Sequence, residues 1–264
     1  MRKIFILLLI TFLTKMTAQE MYKIDYSYTD IKGAKLESSL FTNNKEATYK
    51  IYDSRKRGMV DLPNGEISFI ENDELSKFYY ANDTIAYARF SNYDEEIVYS
   101  DLYKNKMNWK INVENKKKIG RYNCTEAKIR LNQRSFTVWF TLDVPIKFGP
   151  FKLHDLPGMI VEATEDTGFF KISLTGISKT KDIKEFNSYK KYFFEKKKIM
   201  NYKQYEKKVI DDEVAAQIRV YNFVKEENLR TGRNSTVISN FSMAKDEYLE
   251  YPSNLVSELE KVPK

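Results

Sequence analysis

Two residues with catalytic potential occur once each in this chain of 264 residues, Cys124 and His154. A thiolate that uses a histidine as its base is a known arrangement for nucleophilic catalysis. Cys124, however, alternates with Tyr122 in a predicted strand, which favours a small buried residue over a reactive thiol. Only Asp155 stands beside His154 to orient it. We therefore favour a histidine that shapes a loop, and we assign no catalytic residue.

Other chemical signatures are equally sparse in the sequence. One histidine excludes a multi-histidine metal site, one cysteine excludes an internal disulfide, and we predict no metal and no cofactor. No glycine-rich phosphate loop and no Gly-x-Ser-x-Gly elbow occurs. The adjacent acids Glu165/Asp166 and Asp211/Asp212 are typical of a turn and of a helix start. A glycosidase needs two carboxylates facing one bond, and their spacing in the sequence cannot reveal that geometry.

The most informative segment is the connection over residues 143–158, which contains three of the six prolines. A connection of this length without secondary structure is often functional. Pro157-Gly158 suits the two central positions of a type II turn, because glycine tolerates the positive φ that the second position requires. We take this connection as the candidate binding loop, with the candidate residues Gly149, Pro150, Lys152, His154, Asp155, Leu156, Pro157 and Gly158.

The elements that position this loop are predicted to be strands. Residues 22–29 alternate between apolar and polar side chains, as expected of a strand with one packed face. Residues 121–131 and 135–142 form a hairpin in which Phe136, Val138 and Phe140 share one face and Trp139 lies on the other. A further hairpin covers 159–165 and 169–175, and Lys116-Lys117-Lys118 is placed at a loop tip. The remaining predicted strands cover 35–42, 46–52, 66–70, 77–81, 84–90, 96–100 and 107–113.

The fold class predicted from this pattern is mainly β, with a curved antiparallel sheet or partly open barrel and a helical C-terminal segment. A helix over 201–228, with a break at Asp211-Asp212, follows from an apolar stripe at helical spacing. A short helix follows Pro252. We predict a β domain over 19–178 and a basic, mostly helical segment over 179–264 that packs on the sheet.

The N terminus has the layout of a secretory signal. Met1-Arg2-Lys3 precedes an apolar run from Ile4 to Leu13, and a small residue, Ala18, marks the cleavage point. The run is too short to cross a bilayer, and no later segment is apolar enough to do so. We therefore expect residues 1–18 to be removed and the mature protein to work in the periplasm, outside the cell or at the outer membrane.

The formal charge of +7 is concentrated in one segment. Residues 179–208 contain eleven lysines and four acidic residues, while the remaining chain is close to neutral. Aromatic residues interleave with these lysines, so the segment fits either a patch for anionic partners or a solvated face anchored by its aromatics. We favour the solvated face, because charge runs usually have that role, and we predict no nucleic-acid partner.

The loop and its flanking strands resemble the GLPGLI family of exported Bacteroidetes proteins. The matching residues are 149–153, 156–160, 119–124, 138–141 and 144–146, in the order and spacing of that family. Asp155 replaces the first glycine of the family peptide and Met159 replaces its leucine. Aspartate is among the few residues that tolerate positive φ, so the turn can persist. The short pattern Asp83-Thr84-Ile85 also fits a glycosylation signal of that lineage.

The resemblance implies an exported β-rich protein that accompanies TonB-dependent outer-membrane receptors, and it supplies no catalytic residues. From it we expect a non-enzymatic envelope protein whose loop binds a protein or glycan. The alternative is an exported hydrolase acting on peptide or glycan, because all-β hydrolases can use carboxylates that are scattered in sequence. The oligomeric state is left open.

Overall fold

The computed structural model describes residues 21–29, 35–52, 58–61, 67–70, 77–82, 86–91, 96–100, 107–131, 133–168, 170–195, 198–233, 235 and 253–263. The predicted signal peptide and the Asp83-Thr84-Ile85 pattern lie outside these residues. Structural statements below refer only to this described part of the chain.

One large sheet dominates the molecule. Its strands follow the order β14-β8-β7-β6-β3-β2-β1-β13-β12-β11-β10-β9, and β4 and β5 form a separate two-stranded sheet. The pairs are antiparallel except β14 with β8. The strands are β1 (Met21–Thr29), β2 (Lys35–Thr42), β3 (Glu46–Tyr52), β4 (Gly58–Asp61), β5 (Ile67–Ile70), β6 (Lys77–Asn82), β7 (Ala86–Ser91), β8 (Glu96–Ser100), β9 (Lys110–Ile119), β10 (Tyr122–Leu131), β11 (Arg134–Thr141), β12 (Met159–Glu165), β13 (Lys171–Thr180) and β14 (Met200–Asn201).

The sheet has a packed face and a face that is polar over much of its area. In β1 the side chains of Ile24, Tyr26 and Tyr28 are buried, while Asp25 and Ser27 between them keep solvent exposure. Alternation of this kind buries apolar area on one side of a strand only. The Tyr26 hydroxyl donates to the carbonyl of Ile160 at 3.1 Å, which satisfies a polar group in the core. The packed face therefore extends to Ile160 of β12, the strand that follows the candidate loop.

Three helices follow the sheet: α1 (Lys184–Glu195), α2 (Tyr202–Thr231) and α3 (Leu255–Leu259). Phe186 and Phe193 of α1 are buried against Phe41, Tyr80 and Val98, so this helix covers part of the second face. Lys190 of α1 pairs with Glu46 of β3 at 2.6 Å. Phe186 and Phe193 of the basic segment thus pack on the sheet, while most of the described lysines of the segment are exposed.

Asn201 starts α2 with a capping box. Its side chain accepts from the Gln204 amide, and the Gln204 side chain accepts from the Asn201 amide. These bonds satisfy amides that a helix N terminus leaves without partners. α3 packs through Leu255 and Leu259 on Ile210 and Val214 of α2. None of the described helices has both the length and the apolar character needed to cross a membrane.

The predicted fold class is confirmed: the protein is mainly β, with an open antiparallel sheet and C-terminal helices. Two local predictions were wrong. The run Lys116-Lys117-Lys118 lies within β9, and the turn falls at Gly120, whose φ is +54°. α2 continues through Asp211 and Asp212, because Lys207 and Lys208 pair with these acids one turn away.

Candidate functional site

The loop over residues 143–158 connects β11 to β12 and folds back on itself. The Gly149 amide donates to the Leu153 carbonyl, and the Asp155 amide donates to the Lys147 carbonyl, both at 2.8 Å. An isolated antiparallel bridge joins Phe148 to His154. The loop is therefore a hydrogen-bonded excursion of fixed shape.

His154 and Asp155 attach this loop to the segment before β9. The Asp155 carboxylate lies 3.0 Å from His154 Nδ1 and accepts from the Met107 amide at 3.3 Å. Trp109 Nε1 donates to the His154 carbonyl at 2.7 Å. Asp155 has φ of +65°, a conformation that aspartate tolerates better than most residues. These contacts give His154 and Asp155 a structural role in the described chain.

Gly158 does not adopt positive φ, so the predicted type II turn at Pro157-Gly158 is not formed. The glycine is needed for a different reason. A Cβ atom there would lie 2.0 Å from the Thr141 carbonyl oxygen, which belongs to the backbone of β11. At Gly149 an added Cβ would lie 2.5 Å from Ile160 Cδ1. Both glycines permit close packing of the loop on its flanking strands.

Lys152 is a fully buried lysine in this loop, with 0% exposure. Its ammonium lies 5.1 Å from the ring centroid of Tyr99 in β8 and 5.9 Å from that of Tyr202 in α2. Tyr99 stacks in turn on Tyr205 at 3.7 Å. A cation above aromatic faces is attracted by their π electrons, so Lys152 links the loop to β8 and α2.

The candidate residues of the loop offer little surface to a ligand. Pro157 is exposed and His154 and Asp155 are partly exposed, whereas the other candidates are buried: Gly149, Pro150, Lys152, Leu156 and Gly158. Glu165, one of the two neighbouring acids expected at a turn, is also buried, and its carboxylate pairs with Arg134 at 3.5 Å. Its role is therefore packing of the turn after β12.

Cys124 is buried, with 1% exposure, and its thiol donates weakly to the Tyr122 carbonyl at 3.7 Å. Burial raises the pKa of the Cys124 thiol to about 11, with Lys117 opposing that rise and Glu162 and Asp143 adding to it. The thiol therefore stays protonated at neutral pH. In the described structure Cys124 and His154 share no hydrogen bond, so the dyad is not assembled.

Alkaline pH should destabilise the protein, because buried groups with a raised pKa, such as the Cys124 thiol, resist deprotonation in the folded state. Burial also raises the pKa of the hydroxyls of Tyr26 and Tyr49. Because each pKa is higher in the folded protein than in the unfolded chain, the contribution to stability is complete below about pH 9 and is lost as the pH rises. For Cys124 the loss between pH 9 and 11 is about 2 kcal/mol.

Urea unfolding of the wild type and Cys124→Ala across this pH range measures that loss. We expect the variant to lose less free energy of unfolding than the wild type between pH 9 and 11. Parallel pH profiles for the two proteins would show that the thiol does not contribute.

Three side chains suited to ligand binding lie in a row on the polar face of strands β10, β11 and β12. Trp139 of β11 is opposite Glu126 of β10 on one side and Glu162 of β12 on the other. Directly opposed residues share a face of the sheet. Adjacent partners are about 5 Å apart, so the Cα atoms of the two glutamates lie about 10 Å apart with the indole between them. Trp139 is partly buried, and the side chains of Glu126 and Glu162 are 12% and 22% exposed.

Lys117 of edge strand β9 completes this cluster. Its ammonium pairs with Glu162 Oε2 at 2.9 Å and lies 4.2 Å from the ring centroid of Trp139. The side chain of Lys117 is 40% exposed. On the same face, the row continues through Ser173 and Ser27, which keep partial exposure. We call Lys117, Glu126, Trp139 and Glu162 the Trp139 cluster.

Sequence patterns revealed only part of this cluster. The alternation in β11 correctly placed Trp139 on the polar face. A tryptophan on a polar face is a feature of the sequence that can point to a binding surface. Glu126 and Glu162 were missed, because their opposition to Trp139 depends on pairing register between strands. Among the described residues, no group of three or more His, Cys, Asp or Glu side chains is placed to hold a metal ion.

The fold and this cluster define an open antiparallel β-sheet protein that carries two partly buried carboxylates around a tryptophan on one face. A family model for the N-terminal domain of N-glycanase, the PNGase F-II type, matches residues 39–204. This match spans more than half of the chain and includes the Trp139 cluster. The chain therefore belongs to the N-glycanase N-terminal domain family.

Solved structures show more distant similarity. Two structures of PNGF-II, in space groups C2 and P21, are 20% and 19% identical, with TM-scores of 0.45 and 0.48. They cover 69% and 71% of this chain, which spans only 31% and 32% of theirs. An uncharacterised conserved protein from Thermus thermophilus is 6% identical, with a TM-score of 0.36 over 69% of this chain and 90% of its own. Curated protein sequences gave no match.

The family match corrects two expectations. The resemblance to the GLPGLI family was wrong as a family assignment, because residues 39–204 match the N-glycanase domain instead. The matching peptide contains Gly149 and Gly158, which steric contact requires, so close strand packing accounts for part of the motif. The expected non-enzymatic role beside a TonB-dependent receptor falls with that assignment, and the hydrolase alternative fits the family better.

Proposed function

We propose that this protein takes part in the hydrolytic processing of glycans carried on peptides, with the Trp139 cluster as the site that receives the glycan. The observation that carries the proposal is the pair of carboxylates, Glu126 and Glu162, on either side of Trp139 in a chain of the N-glycanase N-terminal domain family. The signal-like segment Met1–Ala18 supports a location outside the cytoplasm, where glycans and glycoproteins are available.

The chemistry follows from the spacing of the carboxylates. Release of a glycan from asparagine breaks the bond between C1 of the sugar and the side-chain nitrogen. One carboxylic acid protonates the leaving amide while the second carboxylate activates the water that attacks C1, so the products are the free glycan and an intact asparagine. Inverting enzymes keep the two groups about 6.5–9.5 Å apart to leave room for the water. Glutamates about 10 Å apart at Cα, on one face, reach that range when their side chains lean toward each other. The indole between them supports the ring of the substrate.

Glycan release from an N-glycosylated glycopeptide, followed by mass spectrometry, tests this proposal. We expect hydrolysis by the wild type and a loss of about 100-fold or more in Glu126→Gln and Glu162→Gln, because acid–base catalysis contributes at least this much. Glu114→Gln is the matched control, since Glu114 is an exposed acid on edge strand β9 and should leave the rate unchanged.

Two outcomes would contradict the proposal. Absence of hydrolysis by the folded wild type would overturn the activity. Full hydrolysis by a variant that combines Glu126→Gln with Glu162→Gln, with unchanged circular dichroism, would show that the two carboxylates do not take part in the reaction.

A further inference from the structure

Lys117 lies over the indole ring of Trp139. Its ammonium is 4.2 Å from the indole centroid and is held there by Glu162 at 2.9 Å. Both contacts are made by a long flexible side chain that is 40% exposed. Exposed ion pairs and exposed cation–π contacts each contribute little free energy, so a ligand can displace this lysine at small cost.

Displacement of Lys117 would uncover a flat aromatic surface between hydrogen-bonding groups. The face of an aromatic ring carries negative charge density and attracts the weakly positive C–H groups of a pyranose ring. Glu126 and Glu162 would accept hydrogen bonds from sugar hydroxyls. The negative charges of the two glutamates are balanced by two ammonium groups, those of Lys117 and of Lys128, which lies 3.9 Å from Glu126. These features fit an uncharged sugar.

We propose that Trp139 is a stacking site for an uncharged pyranose ring, and that Lys117 is a displaceable cover over it. The sugar takes the position of the ammonium above the indole, and the Lys117–Glu162 ion pair opens as it binds. This inference rests on the proposed function for the class of ligand, and it adds the position of the ring and the residue that competes with it.

Tryptophan fluorescence offers a direct readout, because the chain contains only two tryptophans. In a Trp109→Phe background the emission reports on Trp139 alone. Titration of this protein with tri-N-acetylchitotriose should give a saturable change in emission. Circular dichroism establishes that each variant is folded, and calorimetric titration gives the same affinity for variants without a fluorescent reporter.

Replacement of Lys117 separates a stacking site from an ordinary surface contact. We expect Lys117→Ala to bind the trisaccharide about three- to tenfold more tightly than the wild type, because no ion pair and no cation–π contact is broken on binding. Rising salt should strengthen binding to the wild type by weakening the ion pair, but should not affect Lys117→Ala. Lys116→Ala, on the opposite face of β9, is the matched control and should bind as the wild type does.

Trp139→Ala should weaken binding at least about tenfold, and Trp139→Phe, which keeps an aromatic ring in the strand, should have an intermediate affinity. Equal affinity in the wild type and Trp139→Phe and Trp139→Ala would overturn the stacking site. Absence of binding in both the wild type and Lys117→Ala would do the same. Because the titration measures binding alone, its failure leaves glycan release to be judged separately, and loss of glycan release leaves the titration valid.

Discussion

Replacing Gly158 with alanine should lower the free energy of unfolding by about 3 kcal/mol, because the added methyl group meets backbone. The new Cβ would lie 2.0 Å from the Thr141 carbonyl oxygen and 2.7 Å from its carbon. Backbone atoms of a central strand cannot rotate away as a flexible side chain can. Relief therefore requires that β12 and the end of the loop move away from β11.

Gly176→Ala provides the matched control for this substitution. Its Cβ would lie 3.9 Å from Asp25 Oδ2, which is ordinary contact, and its φ is not positive. We expect its free energy of unfolding to change by less than about 1 kcal/mol, since alanine also loses less chain entropy on folding than glycine. Urea denaturation of both variants measures the difference. Equal midpoints would mean that the loop yields more readily than its packing indicates.

Replacing Lys152 with alanine should also cost about 3 kcal/mol, the usual range for truncating a long side chain that is fully buried. The substitution removes the packed stem and the ammonium that lies near Tyr99 and Tyr202. Because these two residues belong to β8 and α2, the loss should weaken the attachment of the loop to both. Urea denaturation, with limited proteolysis in the loop, measures the two effects.

Lys152→Met distinguishes the stem from the charge. Methionine keeps most of the apolar volume of the lysine stem and removes the ammonium. We expect it to lose less than half of the free energy that the alanine variant loses. A methionine variant as unstable as the alanine variant would assign the effect to the ammonium, and a wild-type value for alanine would contradict a packing role.

Much of the sheet was predictable because alternation in sequence reports burial directly. Tyr26 and Tyr28 in β1, and Phe136 and Val138 in β11, are buried as the pattern indicated. α1 was not assigned its own boundaries, although Phe186, Tyr189 and Phe193 recur at helical spacing, because the surrounding lysines suggested a solvated segment. The helix forms because those aromatics pack on the sheet.

The candidate site was less predictable than the fold. The loop attracted attention because its prolines and glycines are conspicuous, yet Gly158 serves close packing and Lys152 is buried. The Trp139 cluster combines residues from β9, β10, β11 and β12, including Lys117 and Glu162, which are distant in sequence. Periodicity assigns a residue to a face of its own strand, but the partner on the next strand depends on register, which bulges shift.

Edge strand β9 carries a pattern of charge that opposes pairing with a strand of another molecule. It pairs with β10 on one side, and its opposite side is not paired with any described strand. Such an edge can template the addition of a strand from another molecule, which leads to aggregation. Lys116, Lys117 and Lys118 point in alternating directions along it, so an incoming copy of β9 in matching register would place ammonium beside ammonium. The lysine run thus acts as a charge barrier against intermolecular sheet growth.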